Sequence, residues 1–453
     1  MPDETSEEDT GNTRLYVLVS VLGLTVLSYI GGTFSATFET FPYKQWIKPA
    51  FRALAAKMQK RAAASAELTR SIWHRARFSG RGVVERTDGA FDGYTLYSSG
   101  HKSGAFLVDM EGEVVHEWNG EFRDVWPNPP HVDSPVPPKN IYWRRTHLFS
   151  NGDVLAAYAG AGDSPWGYGL AKFDRESNLI WKYSEHVHHD FDVADDGTIY
   201  AVVHRFRDTR KNPVRGVPQI PDQITEDYIV RLSPEGEELQ RYSLVEGLAD
   251  SVYLGVLQMQ PDPFRRPMET TWDLLHANTV EVIGPEFAKH HDFAKPGDIM
   301  FSARDPDLVG FVDMEAERVE WATRGFWSEQ HDPDALSNGN ILVFDNNGHA
   351  GPGGASRIVE YNPKTNGLEW TYTGTPEHPF WSKSAGSKET LPNGNVLITS
   401  SLFGRVFEVN RAGEIVWEFR NPKRQRLDGQ TYVPLILGAR RFRSDELDFL
   451  EKR

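Results

Sequence analysis

The stretch SNGNILVFDN (Ser337–Asn346), followed by SRIVEYNPKTNGLEWTY (Ser356–Tyr372), decides the fold. It reads as an Asn-Gly turn, an apolar strand, a second strand, another Asn-Gly turn, and a third strand ending near a tryptophan. Asn-Gly supplies the positive φ angles that a tight hairpin needs. The unit recurs as SNGDVLAAYA with GLAKFDRESNLIWKY and as LPNGNVLITS with GRVFEVNRAGEIVWEF. Weaker copies are DDGTIYAVV with YIVRLSPEGEELQRY, PGDIMFSA with LVGFVDMEAERVEWA, and YTLYSS with GAFLVDMEGEVVHEW. Six units spaced roughly 40–65 residues apart fall in the range of propeller blades. A β-sandwich pair does not account for six similar units, so the expected fold is all-β, a six-bladed β-propeller over residues 91–442. Trp118, Trp181, Trp321, Trp370 and Trp417 end third strands and are expected to pack between neighbouring blades. The run VPLILGARRF (Val433–Phe442) is expected to complete the first blade and close the ring.

Two stretches break this rhythm. Trp126–Asn140 is rich in proline, and Arg205–Asp227 is rich in proline and charge. Both read as loops crossing one face, where residues that shape a substrate site tend to lie.

Composition narrows the functional classes. The 453 residues carry 49 Lys+Arg against 64 Asp+Glu, a net charge of −15. An acidic chain of this kind does not suit nucleic acid, which calls for basic stripes. With no cysteine, disulfides, thiolate metal sites and cysteine nucleophiles are all excluded.

The N-terminal residues 1–14 form an acidic tail. Residues 15–38 (LYVLVSVLGLTVLSYIGGTFSATF) carry no charge and are long enough to cross a bilayer as a helix. The acidic n-region and the lack of an A-x-A site favour a retained single-pass anchor over a cleaved signal peptide. Residues 39–80 read as a basic amphipathic helical linker. Ile47, Phe51, Leu54 and Met58 lie at helical spacing among Lys44, Lys48, Arg52, Lys57, Lys60 and Arg61. Such a helix can rest on anionic head groups or offer a surface to a protein partner. Taken literally, cations after the span place the large domain in the cytoplasm, whereas a head-group-bound helix is compatible with either side. Residues 443–453 form a C-terminal tail.

Aligning the units on the turn glycine exposes a recurrent position. His331 and His189 each lie eight residues before a turn glycine, Gly339 and Gly197. Arg144 and Gly386 occupy the same place before Gly152 and Gly394. His276 opens another such strand, and Arg304 ends an inner strand of that unit. Equivalent strand starts of a propeller converge on its axis, so these residues are expected to form one cationic, imidazole-rich pocket.

Three readings compete for this pocket. The His189–Asp190 and His331–Asp332 pairs can simply cap strands through local hydrogen bonds. Imidazole with carboxylate also suits a metal, and HHD occurs twice, but the two copies do not share a repeat position. No metal and no other cofactor is therefore assigned. In the third reading an imidazole nitrogen accepts a sulfuryl or phosphoryl group, and a guanidinium and further imidazoles stabilise it.

At this point the chain resembles the bacterial arylsulfotransferase family, six-bladed propellers, membrane-associated or periplasmic, that move sulfuryl groups between phenols. The resemblance spans Phe91 to Phe442 and rests on the order HHD, L-H-x-N, S-x-R, Q-H and N-G-N. It implies His331 as the transiently sulfated nucleophile and His276 with Asn278 at the sulfuryl oxygens or leaving group. It further implies Arg304 holding the sulfuryl group, with His189 assisting; Arg144, by its repeat position, is expected to line the substrate site. The implied partners are an aryl sulfate donor and a phenolic or alcohol acceptor. Two departures stand out. The Arg304–His331 spacing is short, and the family's disulfide is impossible in a chain without cysteine. The alternative is a membrane-anchored, non-catalytic propeller serving as a binding or scaffold subunit. An oxidoreductase ranks last, since no quinone-docking tryptophan repeat is present.

Overall fold

The computed structural model describes residues 6–38, 40–163, 166–218, 220–258, 272–351 and 353–450. The N-terminal segment as far as Arg61 forms one compact unit, and the described residues from Ala62 onward form a second.

In the first unit a helix runs Ser6–Thr37, and its stretch Leu15–Thr37 has a mean hydropathy of 1.9. That stretch is long and apolar enough to cross a membrane, a property that anchors and signal sequences share. A π-helical turn, Tyr43–Ile47, leads into a second helix, Lys48–Ser65. This helix stops at Ser65 instead of continuing to residue 80. Beyond it Leu68 and Ile72 are buried, and Trp73–Arg75 pairs with Gln430–Pro434 in a small sheet. Burial of these apolar residues and strand pairing override the helical pattern there.

The second unit is all-β, built from antiparallel sheets in a propeller-like arrangement. In chain order the sheets begin with the strands Ile141–Leu148, Val187–Val193, Ala277–Val282, His331–Ala335 and Ser387–Thr390, each followed by three more strands. A further sheet joins Ile436–Phe442 to Tyr94–Ser99, Gly104–Val108 and Val114–Asn119, so the chain's last strand completes its first sheet. These innermost strands neighbour one another in chain order, and Ile436–Phe442 lies beside both Ser387–Thr390 and Ile141–Leu148.

Period-2 alternation explains why the sheets stack face to face. Along the strand Ile341–Asp345, Ile341 and Val343 enter the core shared with the preceding sheet, while Leu342 and Phe344 enter the core shared with the next. Both faces are buried, so the strand reads as a continuous apolar run, ILVF. Each core cluster joins two consecutive sheets, including the one shared by the Ser387 sheet and the Ile436 sheet.

Tryptophans tie the sheets at their outer hairpins. The indole nitrogen of Trp118 donates to the carbonyl of Gly152 (2.9 Å) and that of Trp181 to Pro234 (3.0 Å). Trp370 donates to Arg411 (3.0 Å) and Trp417 to Met110 (3.1 Å), each in the following sheet. Trp321 instead stacks on Phe293.

A second set of ties lies at the inner edges. The Val280 and Val282 N–H groups donate to Asp190 (3.3 Å) and Asp192 (2.9 Å) of the preceding sheet. Ala335 N–H donates to Glu281 (3.0 Å), Lys388 N–H to Asp332 (2.7 Å) and Arg441 N–H to Glu389 (2.8 Å). Innermost strands would otherwise leave such edge groups unpaired.

The segment Arg205–Asp227, read as a loop, is strand at both ends and a connection between them. Ile199–Asp208 pairs with Gln223–Leu232 through Asp208 and Gln223, leaving only the intervening residues as a connection. The C-terminal residues are also docked: Leu447 is buried and Phe449 lies against His116 and Trp118.

Candidate functional site

Four of the innermost strands carry a register shift near their start, three of them where the sequence alignment places the recurrent position. The shifts fall at Trp143/Arg145, Val187/Phe191, Ala277/Thr279 and His331/Asp334, bracketing or bounding Arg144, His189, Asn278 and His331. A β-bulge inserts an extra residue and re-aims its side chain, which is why bulges accompany functional sites. His189, His276 and Asp332 take left-handed φ values of 57°, 50° and 48°. In this way adjacent residues are sent to different tasks. Asp190 and Asp332 cap the next sheet's backbone, while His189 and His331 turn into a shared cluster.

The expected histidines do meet. The ring of His189 lies 4.8 Å from that of His276 and 6.4 Å from that of His331. Trp166 stands among them, stacked over His276 at 5.3 Å and edge-on to His189 at 5.7 Å. His331 is 3% exposed and His276 is 8% exposed, whereas His189, Arg144 and Trp166 are half-buried.

Hydrogen bonds fix the protonation pattern of two of these rings. The Asn346 side-chain nitrogen donates to the carbonyls of Ser382 (2.6 Å) and Ala385 (2.9 Å), so its oxygen is the acceptor. That oxygen lies 2.8 Å from Nδ1 of His331, which is also 3.2 Å from the Glu329 carbonyl. Two acceptors at Nδ1 require the proton there, leaving Nε2 with the lone pair. Burial first, then the Arg144 guanidinium, push the His331 imidazole down to about 3, so it is neutral at physiological pH. The ring is therefore a nucleophile-competent imidazole. His276 is held differently: its Nδ1 bonds Oδ2 of Asp273, and its backbone N–H donates to Oδ1 of the same carboxylate (3.0 Å). This His–Asp dyad fixes the ring's orientation and stabilises its imidazolium form.

The Nδ1 atoms of His188 and His189 are 2.8 Å apart, so one donates to the other. Burial, followed by Arg144, holds His189 well below the ordinary histidine value. Among the described residues the Arg144 guanidinium has no hydrogen-bond or ion-pair partner, which leaves its donors open to an anion. Its neighbour Arg145 is bound by Asp190 at 2.7 Å and lies 3.6 Å from Asp332.

Two expected residues are engaged elsewhere. The Arg304 guanidinium pairs with Asp305 (3.0 Å), and its backbone N–H donates to the His276 carbonyl (3.2 Å). Asn278 donates to the Gln330 carbonyl (2.7 Å), fixing the backbone just before His331. Sequence reasoning missed Trp166, Asp273 and Asn346. The Asp-x-x-His spacing of DLLH was a usable signal for Asp273. Asn346 directly follows the strand Ile341–Asp345, which hairpin pairing places opposite His331 with Phe344 as its partner. Trp166 left no signal, since it lies in a connection.

Residues 145–422, more than half of the chain, match the profile of the family described as Arylsulfotransferase (ASST). The chain belongs to the arylsulfotransferase family. His189, His276, Asn278, Arg304 and His331 lie inside the matched arylsulfotransferase segment, and Arg144 lies one residue before it. No curated protein matches the chain. Among solved structures, a protein of unknown function from Bacteroides caccae is similar at 11% identity, covering 76% of this chain and 99% of its own, with a TM-score of 0.45. Virginiamycin B lyase from Staphylococcus aureus is 11% identical, over 61% of this chain and 69% of its own, with a TM-score of 0.33. BamB from Moraxella catarrhalis is 11% identical, over 78% of this chain and 99% of its own, with a TM-score of 0.34.

Proposed function

We propose that this arylsulfotransferase-family chain is a six-bladed propeller enzyme that moves a sulfuryl group from an aryl sulfate to a phenol or alcohol through a sulfohistidine at His331. The observation that carries the reading is the pinning of His331 Nδ1 by Asn346, which leaves a neutral ring with a bare Nε2. In the first half-reaction Nε2 attacks sulfur, the sulfur–aryl oxygen bond breaks, and the His276 imidazolium protonates the departing phenolate. In the second, the acceptor oxygen attacks sulfur and the nitrogen–sulfur bond breaks. Its electron pair returns to Nε2, and His276 takes the acceptor proton. Splitting the transfer this way exchanges one difficult step for two easier ones.

Arg144 supplies positive charge and N–H donors to the sulfuryl oxygens, and the neutral His189 ring supplies a further N–H, where charge must be stabilised in the transition state. Arg144 takes this part because its guanidinium has open donors, whereas Arg304 is paired with Asp305. Arg304 and Asn278 then act as positioning residues, through the backbone at His276 and Gln330 respectively. Trp166 provides an aromatic wall suited to a phenolic ring.

The helix Leu15–Thr37 is read as a single-pass anchor, with the propeller on the periplasmic side. The exposed Trp46, Phe51, Leu54 and Met58 support contact with lipid head groups or a protein partner. The blade number rests on the six successive sheets and on the C-terminal strand's place in the first of them.

Brief exposure to p-nitrophenyl sulfate, followed by peptide mass spectrometry, tests the reading. A sulfuryl adduct on the His331 peptide, discharged by phenol and absent in His331→Asn, is expected. Folded wild type giving neither adduct nor nitrophenol with several donors would overturn it in favour of a binding propeller.

A further inference from the structure

Beside the catalytic cluster lies a second group of ligand atoms that sulfuryl transfer does not use. His188, His204 and Asp227 sit on three consecutive strands of one sheet, Val187–Val193, Ile199–Asp208 and Gln223–Leu232. His204 and Asp227 are direct cross-strand partners, and the bulge after Val187 brings His188 to the same level. Their relative exposures are 1%, 0% and 1%. The ring of His188 stacks on that of His204 at 4.3 Å.

Four ligand atoms there have no hydrogen-bond partner: His188 Nε2, both ring nitrogens of His204, and Asp227 Oδ1. Buried polar atoms in folded chains nearly always find a partner, so this concentration calls for a ligand. The spacing fits one. One ligand atom from each of the three residues can be chosen so that all lie within 4.8 Å of one another, and His188 Nε2 is 3.2 Å from Asp227 Oδ1. Zinc bonds of about 2.0–2.1 Å at tetrahedral angles put two ligand atoms roughly 3.3 Å apart.

The surroundings also orient the ligands. Asp227 Oδ2 accepts the Ala277 N–H (2.7 Å), which leaves Oδ1 as a monodentate ligand. The far nitrogen of His188, Nδ1, bonds His189. Ligating histidines use their second ring nitrogen in this way.

We propose that His188, His204 and Asp227 form a binding site for a divalent transition-metal ion of the zinc type. Two imidazoles and one carboxylate are the ligands, and a fourth position is left to water. Of the two HHD copies only the first contributes a ligand, His188, since the second (His290–Asp292) shares no strand with these residues. On the sulfuryl-transfer reading the site has a consequence. A metal on His188 Nε2 keeps the ring proton on Nδ1, which donates to His189 Nδ1 and leaves the His189 proton on Nε2. The metal then sets the tautomer of a group at the sulfuryl oxygens.

The test uses the full chain in detergent micelles, stripped with a chelator and re-equilibrated with zinc or cobalt. Elemental analysis should find roughly one zinc per chain. The cobalt form should show the intense visible bands of a tetrahedral site, and X-ray absorption of the zinc form should show imidazole ligands. His204→Phe, which keeps the ring stack, and Asp227→Asn should each weaken binding at least about tenfold. If either variant fails to fold by circular dichroism, the wild-type cobalt and absorption spectra decide. Zinc no higher than in a buffer control, a hexa-aqua cobalt spectrum, or equal binding by both folded variants would overturn the site. None of these readouts depends on turnover, so failure here leaves the His331 reading untouched.

Discussion

The Nδ1 of His331 and the Oδ1 of Asn346 lie 2.8 Å apart, and the Asn346 amide is itself locked by two backbone carbonyls. The asparagine therefore dictates which nitrogen of the histidine keeps its lone pair. Asn346→Ala removes that acceptor and lets the ring proton move to Nε2. The lost hydrogen bond is worth about 1–3 kcal/mol, since the ring is buried. Single-turnover sulfation of His331 should slow roughly tenfold to a hundredfold. Nitrophenol bursts at saturating donor would show this as a loss of rate with little change in the apparent donor constant.

The pH profile provides a second check. Burial and then Arg144 push His331 down to about 3, below its ordinary value of 6.5. The ring stays neutral as pH falls from 7 to 5, so sulfation by p-nitrophenyl sulfate should stay flat across that interval. Linkage has the matching sign: a lowered histidine adds stability above its unfolded value, and this is lost as pH falls from about 6.5 towards 3. Asn346→Asp puts a carboxylate at Nδ1 and raises the imidazole towards neutrality, so an acid limb should appear inside the same window. A wild-type limb centred near 6.5 would contradict the buried, neutral nucleophile.

The repeat was legible in the sequence because the second strand of most units is apolar on both faces and the turn before it carries a glycine, as at Gly152, Gly197, Gly339 and Gly394. The recurrent position was legible too, since His189, His331 and Arg144 keep one distance from a turn glycine. What could not be read was the direction each side chain takes at the bulge. His189 and Asp190 are neighbours, yet one joins the imidazole cluster and the other bonds Arg145 and the Val280 N–H. The choice between Arg144 and Arg304 was hidden for the same reason, because Asp305 next to Arg304 captures its guanidinium. The N-G-N asparagines turn out to serve the scaffold: Asn338 and Asn340 both donate to Glu360, which Arg411 of the next sheet also binds.

The tryptophan ties predict a graded effect on stability. Trp118 is fully buried, and its N–H donates to the Gly152 carbonyl. Trp118→Phe leaves that carbonyl unsatisfied in an apolar core and should destabilise the second unit by about 1–3 kcal/mol. Trp181 makes the equivalent bond to Pro234 from a partly exposed position, where water can replace the indole. Trp181→Phe should therefore stay within about 0.5 kcal/mol of wild type. Chemical denaturation of the two variants should separate them in that order, with His331 sulfation unchanged in both.

The His276–Asp273 dyad makes the sharpest kinetic prediction. Its proposed task is to give a proton to the leaving phenolate, and the need for that proton depends on the leaving group. Nitrophenolate is a weak base and departs almost unaided, whereas unsubstituted phenolate does not. His276→Asn should therefore cost phenyl sulfate about 100- to 10,000-fold in kcat/KM, and p-nitrophenyl sulfate much less. Asp273→Asn removes the carboxylate that holds His276 Nδ1 and stabilises its imidazolium, so the same selective loss should follow in weaker form. A plot of log kcat/KM against leaving-group pKa should be shallow for wild type and steep for both variants. Equal losses across the donor series would mean that His276 binds the sulfuryl group and protonates nothing. Arg304, whose N–H bonds the His276 carbonyl, would then be positioning a ligand instead of an acid.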